Sequence, residues 1–341
     1  MPKVILTGGG TAGHVTPNIA LIPYLKKAGF EVEYIGSYDG IEKELIEKIG
    51  IPYTGISSGK LRRYLSGKNV TDLAHIQKGY HEAHKILKEK KPDVIFSKGG
   101  FVTVPVVVAA DKEKIPVIIH ESDLTPGLAN KLSAPHAEVI CYNFAETGKY
   151  LEEGKHKGRI VHTGLPIRDE LLKGSREKGL MFCKFSGTKP VLMVIGGSLG
   201  AVNVNNAVWE ALEHLLEAFD VVHICGKGKT DSSISYPGYR QFEYINEELK
   251  DVMAASDILI SRAGANVIWE IAALAKPALL IPLGTAGSRG DQILNANSFK
   301  EHGYSEVLTE DELKAESLTR AVGELWENRE KYIEAMKGAE A

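Results

Sequence analysis

Two glycine-rich stretches follow directly on apolar, β-branched runs in this 341-residue chain, and loops of that kind are suited to holding anions. The first reads Val4-Ile5-Leu6-Thr7-Gly8-Gly9-Gly10-Thr11-Ala12-Gly13-His14, the second Val191-Leu192-Met193-Val194-Ile195-Gly196-Gly197-Ser198-Leu199-Gly200. A glycine loop between a strand and a helix lets backbone N–H groups approach an anion at the positive end of the helix. Gly8, Gly10 and Gly13 satisfy G-x-G-x-x-G, but a dinucleotide site also wants an acidic residue closing the second strand. That strand ends Ile35-Gly36-Ser37, with Asp39 late, and the second loop does not fit the dinucleotide spacing. Two dissimilar loops favour a nucleotide-sugar donor together with a second anionic substrate.

Other chemistries fit less well. Gly228-Lys229-Thr230 resembles the end of a nucleotide-triphosphate loop, but His223 stands where its first glycine belongs. His81-Glu82-Ala83-His84 lacks the spacing of a zinc protease helix and reads as exposed helix histidines. D-x-D is absent from the sequence. No metal is therefore expected to hold a diphosphate, which leaves helix ends and arginine for that task. The three cysteines, Cys141, Cys183 and Cys225, are widely spaced in apolar runs and read as reduced core thiols.

Polar residues gather at the expected carboxyl ends of strands, where open α/β sheets bind ligands. The first half offers Thr11 and His14, then Ser97-Lys98-Gly99-Gly100-Phe101, then His120-Glu121-Ser122-Asp123. Each histidine alone is explained as a loop anchor; their convergence on one edge is not. The second half offers Ser261-Arg262-Ala263-Gly264-Ala265-Asn266 ahead of a helix containing Glu270. A carboxylate there can take both hydroxyls of a ribose, or it can pair with a lysine or arginine. Asp291 and Gln292 either reach a sugar's hydroxyls or cap the helix that follows them.

The elements that must position these residues alternate along nearly the whole chain. Val4-Ile5-Leu6, Val32 to Ile35, Val94-Ile95-Phe96, Val117-Ile118-Ile119 and Val139-Ile140 are each followed by a turn and a helical pattern. The rhythm resumes with Val191 to Ile195, Val221 to Ile224, Ile258-Leu259-Ile260 and Leu279-Leu280-Ile281. Continuous apolar strands between helices predict α/β domains with parallel sheets covered on both faces. The break near Gly164-Leu165-Pro166 predicts two Rossmann-like domains facing across a cleft: an N-terminal one over 1–163 and a C-terminal one over 164–325. A helix over 326–341 is expected at their junction. With 43% hydrophobic and 25% charged residues and a formal charge of −3, the composition is that of a globular protein without a basic field for nucleic acid. The apolar run from Val102 to Ala110 is too short for a membrane span, and the early first strand leaves no room for a signal peptide. A cytosolic protein is expected.

Taken in order, Gly9-Gly10-Thr11-Ala12-Gly13-His14, Gly99-Gly100-Phe101-Val102, His120-Glu121, Gly196-Gly197-Ser198-Leu199-Gly200, Ser261-Arg262-Ala263-Gly264 and Asp291-Gln292 closely resemble the MurG family. These bacterial UDP-N-acetylglucosamine transferases convert lipid I to lipid II in peptidoglycan synthesis. The resemblance spans essentially the full chain and implies the two-domain GT-B architecture, with no cofactor beyond the UDP-GlcNAc substrate. It implies that Ser198 and Arg168 contact the diphosphate, that the Ile245 backbone contacts uracil, and that Ala265, Asn266 and Glu270 meet phosphates and ribose. Asp291 and Gln292 would contact GlcNAc hydroxyls, and Thr11, Ala12 and Gly13 would complete the donor site. The sequence departs from the family in Ser122-Asp123, where Gln-Asn is frequent, and in Phe101-Val102-Thr103-Val104-Pro105, where Tyr-Val-Ser-Gly-Pro is.

The reaction so implied is an inverting displacement by the 4-hydroxyl of the acceptor sugar, which needs a base and a stabilised leaving diphosphate. His14 is the expected base and Glu121 its rival, with His120 and Asp123 orienting either one. Residues 60–68 carry four positive charges and three apolar side chains. Beside a lipid-diphosphate acceptor, Lys60, Arg62, Arg63, Tyr64 and Leu65 suit an anionic membrane surface, at about 1 kcal/mol per basic contact; otherwise they form a solvated basic loop. The expected partners are UDP-GlcNAc, lipid I, the cytoplasmic membrane face and other cell-wall synthesis and division proteins. Alternatives are a related transferase acting on diacylglycerol, UDP-GlcNAc 2-epimerase, a NAD-dependent oxidoreductase, or an inactive UDP-sugar-binding paralogue.

Overall fold

Apolar β-branched runs bury both faces of a strand, so they pair side by side and leave their helices to cover the sheet. The computed structural model describes residues 1–59, 68–196, 201–285 and 289–339, and its contacts divide the chain into Met1–Pro166 and Ile167–Ala341.

In chain order the first unit contains β1 (Lys3–Thr7), α1 (Thr16–Lys27), β2 (Glu31–Ser37), α2 (Ile41–Lys48), β3 (Tyr53–Ile56), α3 (Lys68–Lys90) and β4 (Val94–Ser97). It continues with α4 (Thr103–Lys112), β5 (Val117–Glu121), α5 (Leu128–Ser133), β6 (Val139–Tyr142), α6 (Thr147–Glu152) and β7 (Arg159–His162). Its parallel sheet has the order β3-β2-β1-β4-β5-β6-β7. Alternation along the strands separates two cores. Ile5, Ile35, Ile95, Ile119 and Ile140 pack with Ala83, Leu87, Val106 and Ala110 from α3 and α4. On the other face, Val4, Leu6, Val32 and Tyr34 pack with Ile22 and Ile46 from α1 and α2.

The second unit contains α7 (Arg176–Cys183), β8 (Val191–Ile195), α8 (Val202–Ala218), β9 (Asp220–Ile224), β10 (Tyr239–Phe242), α9 (Leu249–Ala255) and β11 (Ile258–Ser261). It continues with α10 (Ala265–Ala273), β12 (Ala278–Leu280), α11 (Asp291–Glu301), β13 (Ser305–Val307), α12 (Ala315–Glu327) and α13 (Arg329–Met336). Its parallel sheet runs β10-β9-β8-β11-β12-β13. Leu318, Val322 and Leu325 recur at helical spacing, so α12 presents one apolar stripe, and it packs on α8. Trp326 meets Phe219 edge-on at 5.5 Å, and the Tyr332 hydroxyl of α13 donates to Glu306 at 3.2 Å. These contacts of the C-terminal tail lie within the second unit.

Both sheets follow the doubly wound order, in which the first strand of each is flanked by strands whose connections lead to opposite sides. The order places a crevice at the carboxyl ends of β1 and β4 in one unit, and of β8 and β11 in the other. The first glycine loop leaves β1, the Lys98 segment leaves β4 and the Arg262 segment leaves β11, while His120 and Glu121 close β5 and Asp291 opens α11 after β12. Among the described residues, no helix is long and apolar enough to cross a membrane. Cys183 and Cys225 are buried thiols, while Cys141 is partly exposed.

Candidate functional site

At the carboxyl edge of the first sheet, two glycine loops are locked backbone to backbone. The Gly9 N–H donates to the Gly99 carbonyl at 3.3 Å. Gly100 adopts φ +91°, and a Cβ there would lie 2.2 Å from the Gly9 oxygen, so no other residue fits. His14 follows on a short turn over Ala12–His14. Its Nδ1 lies 3.0 Å from the Gly9 carbonyl and 3.1 Å from the Thr11 hydroxyl. A carbonyl only accepts, so Nδ1 carries the proton and Nε2 is the basic nitrogen of the neutral ring.

The second histidine of this edge is built differently. His120 is buried, with Lys98 Nζ donating to Nδ1 at 2.7 Å and Nε2 donating to the Gly164 carbonyl at 2.8 Å. Burial, reinforced by the Lys98 charge, holds it neutral, well below the ordinary histidine range. Burial also pushes the Lys98 ammonium down to about 7, against the opposing pull of Glu121, Asp123 and Cys141. Lys98 also donates to the Ser122 hydroxyl.

Both oxygens of Glu121 are occupied by its own loop. Oε1 accepts from the Asp123 N–H at 3.0 Å, and Oε2 accepts from the Gly127 N–H and the Asn130 amide, each at 2.8 Å. Burial, with the Asp123 charge adding to it, raises its pKa despite those donors. The structure thus brings Lys98, His120, Glu121 and Ser122 into one buried cluster and seats His14 in the neighbouring glycine loop. Asp123 is half-buried on the loop that Glu121 secures.

The carboxyl edge of the second sheet is built from ion pairs. Glu270, buried on α10, accepts from Arg168 Nε at 2.8 Å and from a terminal nitrogen of the same guanidinium at 3.1 Å. Although burial works against the Arg168 charge, the Glu270 carboxylate raises its pKa further. Glu270 is thus paired, but in a largely buried pair rather than the surface pair expected as the alternative, and its partner is Arg168, the other residue expected at the donor. The pair engages two of five guanidinium N–H donors.

Asp291 opens α11 after Gly290, which adopts φ +83°, and accepts from Arg289 at 2.8 Å. Gln292 Oε1 accepts from the Ala263 and Leu283 N–H groups at 3.3 and 3.0 Å, tying the loops after β11 and β12 together. Asn266 is half-buried in the first turn of α10 beside the buried Ala265, and the Ile245 side chain is buried.

Arg262 donates to the Ile281 carbonyl at 3.1 Å and pairs with Glu310 at 2.6 Å. Glu310 also accepts from the Gly284 N–H at 3.1 Å. Sequence reasoning missed Glu310, which sits in the acidic run Glu310-Asp311-Glu312 with nothing to single it out. Beneath this edge runs a one-directional chain. Trp209 donates to the Tyr239 hydroxyl, Tyr239 to His223 Nδ1, His223 Nε2 to Asn205, and Asn205 to the Cys225 carbonyl, at 2.9, 3.0, 3.0 and 3.0 Å. Burial pushes His223 down to about 3. Ser198 with Gly197, Leu199 and Gly200 of its loop, and the membrane candidates Lys60, Arg62, Arg63, Tyr64 and Leu65, lie outside the described residues.

Comparisons with known proteins agree with this architecture. Residues 4–141 match the glycosyltransferase family 28 N-terminal domain and residues 191–341 its C-terminal domain. The chain is 60% identical over 341 residues to a UDP-N-acetylglucosamine--N-acetylmuramyl-(pentapeptide) pyrophosphoryl-undecaprenol N-acetylglucosamine transferase of Lachnospira eligens, covering 100% of this chain and 95% of the relative. It is 59% identical over 340 residues to the protein of the same name from Lachnoclostridium phytofermentans, covering 99% and 95%. The crystal structure of Acinetobacter baumannii MurG shares the fold with a TM-score of 0.75 at 24% identity, covering 100% of this chain and 96% of that one.

Proposed function

The chain belongs to glycosyltransferase family 28, and on that premise we propose that it moves N-acetylglucosamine from UDP-GlcNAc to undecaprenyl-diphosphate-linked N-acetylmuramyl-pentapeptide, turning lipid I into lipid II. The 60% identity across the whole chain carries this reading. In the chemistry we assign, the acceptor's 4-hydroxyl attacks the anomeric carbon as UDP departs with inversion. His14 takes the hydroxyl proton on Nε2, because the Gly9 carbonyl holds Nδ1 protonated and fixes the ring plane. Glu121 is less suited to that role, since three N–H donors from its own segment already hold both of its oxygens. His120 then serves to hold its strand end to Gly164 rather than to exchange protons.

For the donor, the Arg168 donors left beyond Glu270 meet the diphosphate, and the Glu270 carboxylate accepts from the ribose hydroxyls while keeping the guanidinium in register. Ser198, with Thr11, Ala12 and Gly13, adds hydrogen-bond donors to the phosphates, and the Ile245 backbone addresses uracil. Ala265 and Asn266 bring the N-terminal turn of α10 to the phosphates. Asp291 and the Gln292 amide address GlcNAc. The acceptor's lipid places the reaction at an anionic membrane surface, which residues 60–65 would contact, beside other cell-wall synthesis and division proteins.

Incubation with labelled UDP-GlcNAc and lipid I tests the reading. Labelled lipid II and one UDP per transfer are expected. Label passing instead to diacylglycerol, or no transfer at all, would overturn it.

A further inference from the structure

Glu42 lies in the first turn of α2, fully buried, and its carboxylate is the centre of a cradle. Oε2 accepts from the Gly10 N–H at 3.2 Å; Oε1 accepts from the Ser37 N–H at 3.0 Å and the Ser37 hydroxyl at 2.5 Å. Three glycines from three segments make room for it. A Cβ on Gly9 would stand 2.5 Å from Oε1, one on Gly40 2.3 Å from the carboxyl atoms, and one on Gly36 2.8 Å from Cγ. Gly10 turns its N–H inward with φ +84°. Backbone N–H groups closing on an oxyanion are the arrangement used to bind phosphate; here the glycine loop supplies one, Gly10, and the end of β2 another, Ser37. Here the oxyanion belongs to the protein.

We propose that Glu42 is a positioning residue, the built-in anion of the first glycine loop, which shapes Gly9 and Gly10 so that they present His14 and which denies the Gly10 N–H to outside phosphate. The route is short: Glu42 packs on Gly9 and binds Gly10, and the Gly9 carbonyl holds His14 Nδ1. This explains why a loop with the G-x-G-x-x-G spacing needs no dinucleotide. Phosphates are therefore left to the Thr11–Gly13 end of the loop rather than to Gly10. The positioning of His14 rests on the base assignment above; the filled anion seat does not.

Removing the carboxylate supplies the test. In full-length Glu42→Ala, kcat should fall about tenfold or more, with the KM for UDP-GlcNAc little changed. Formate or acetate should restore kcat in that variant and leave the wild type unaffected. Formate should also move the amide resonances of Gly10 and Ser37 in Glu42→Ala, an NMR readout that needs no transferase activity. Glu42→Gln keeps the volume but sets an NH2 against an N–H donor, so kcat should drop without rescue. Should Glu42→Ala fail to fold, Glu42→Gln decides alone. Wild-type kcat with unmoved Gly10 and Ser37 resonances in Glu42→Gln overturns the proposal. So do Glu42→Ala amides that ignore formate, or formate that moves them without restoring kcat.

Discussion

The carboxyl edges of the two sheets share a strand order but use opposite electrostatics. In the first unit, imidazoles, backbone amides and the Glu42 and Glu121 carboxylates gather around a weakened Lys98 ammonium. The second unit's edge is lined by arginines paired with carboxylates: Arg168 with Glu270, Arg262 with Glu310 and Arg289 with Asp291. One edge is suited to moving a proton, because an imidazole whose Nδ1 donates to a carbonyl turns its other nitrogen into the accepting one. The other is suited to a departing diphosphate, because guanidinium stays charged and offers several donors in a fixed plane. The same topology thus carries two edges of different chemistry.

The sharpest way to break this comparison is to remove the base. His14→Ala should lower kcat by about 10²–10⁴-fold, the range of general-base catalysis, while calorimetric UDP affinity stays near wild type. A variant with near-normal turnover would strip the first edge of its assigned role. Glu121→Gln should destabilise the loop after β5 by about 1–3 kcal/mol without abolishing transfer, since its oxygens serve that loop.

Next in size is Arg168→Ala, which orphans a buried carboxylate as well as deleting the proposed phosphate contact. Breaking such a pair costs about 3–5 kcal/mol, read as weaker UDP binding and an earlier denaturation of the second unit. UDP affinity and denaturation both near wild type would contradict the pairing's importance.

The smallest effects are in pH dependence. Burial holds His223 at about 3 and His120 well below its ordinary range, whereas both would titrate near 6.5 when unfolded. Below about pH 6.5 the unfolded chain therefore binds protons that the folded chain refuses, and stability falls by up to about 1.4 kcal/mol per pH unit for each histidine. His223→Gln should remove one share of that slope in denaturant titrations. Lys98 acts on the alkaline side. Its folded value near 7 lies below the ordinary 10.5, so stability gains as pH rises between them, and Lys98→Met should flatten that gain.

The interior strands of both sheets were legible because each carries a largely apolar run, interrupted only by single polar residues such as Glu33 in β2 and His223 in β9. The four that were not, β3, β7, β10 and β13, are the four edge strands. Exposed on one side, they carry sequences such as Tyr239-Arg240-Gln241-Phe242 that lack the buried signature. At the site, the strand-end residues could be located from sequence, but their partners could not. Glu42 reads as one more charge in Ile41-Glu42-Lys43-Glu44-Leu45, and only tertiary folding brings it to Gly10, 32 residues away. The Arg168–Glu270 pair spans 102 residues, so the sequence left open whether Glu270 pairs at all and did not name Arg168 as its partner.

Titration of UDP into the intact protein in EDTA bears most directly on the claim that arginine and backbone amides neutralise the diphosphate. The account predicts the same affinity with and without the chelator. Binding that vanishes in EDTA and returns with a divalent cation would contradict it.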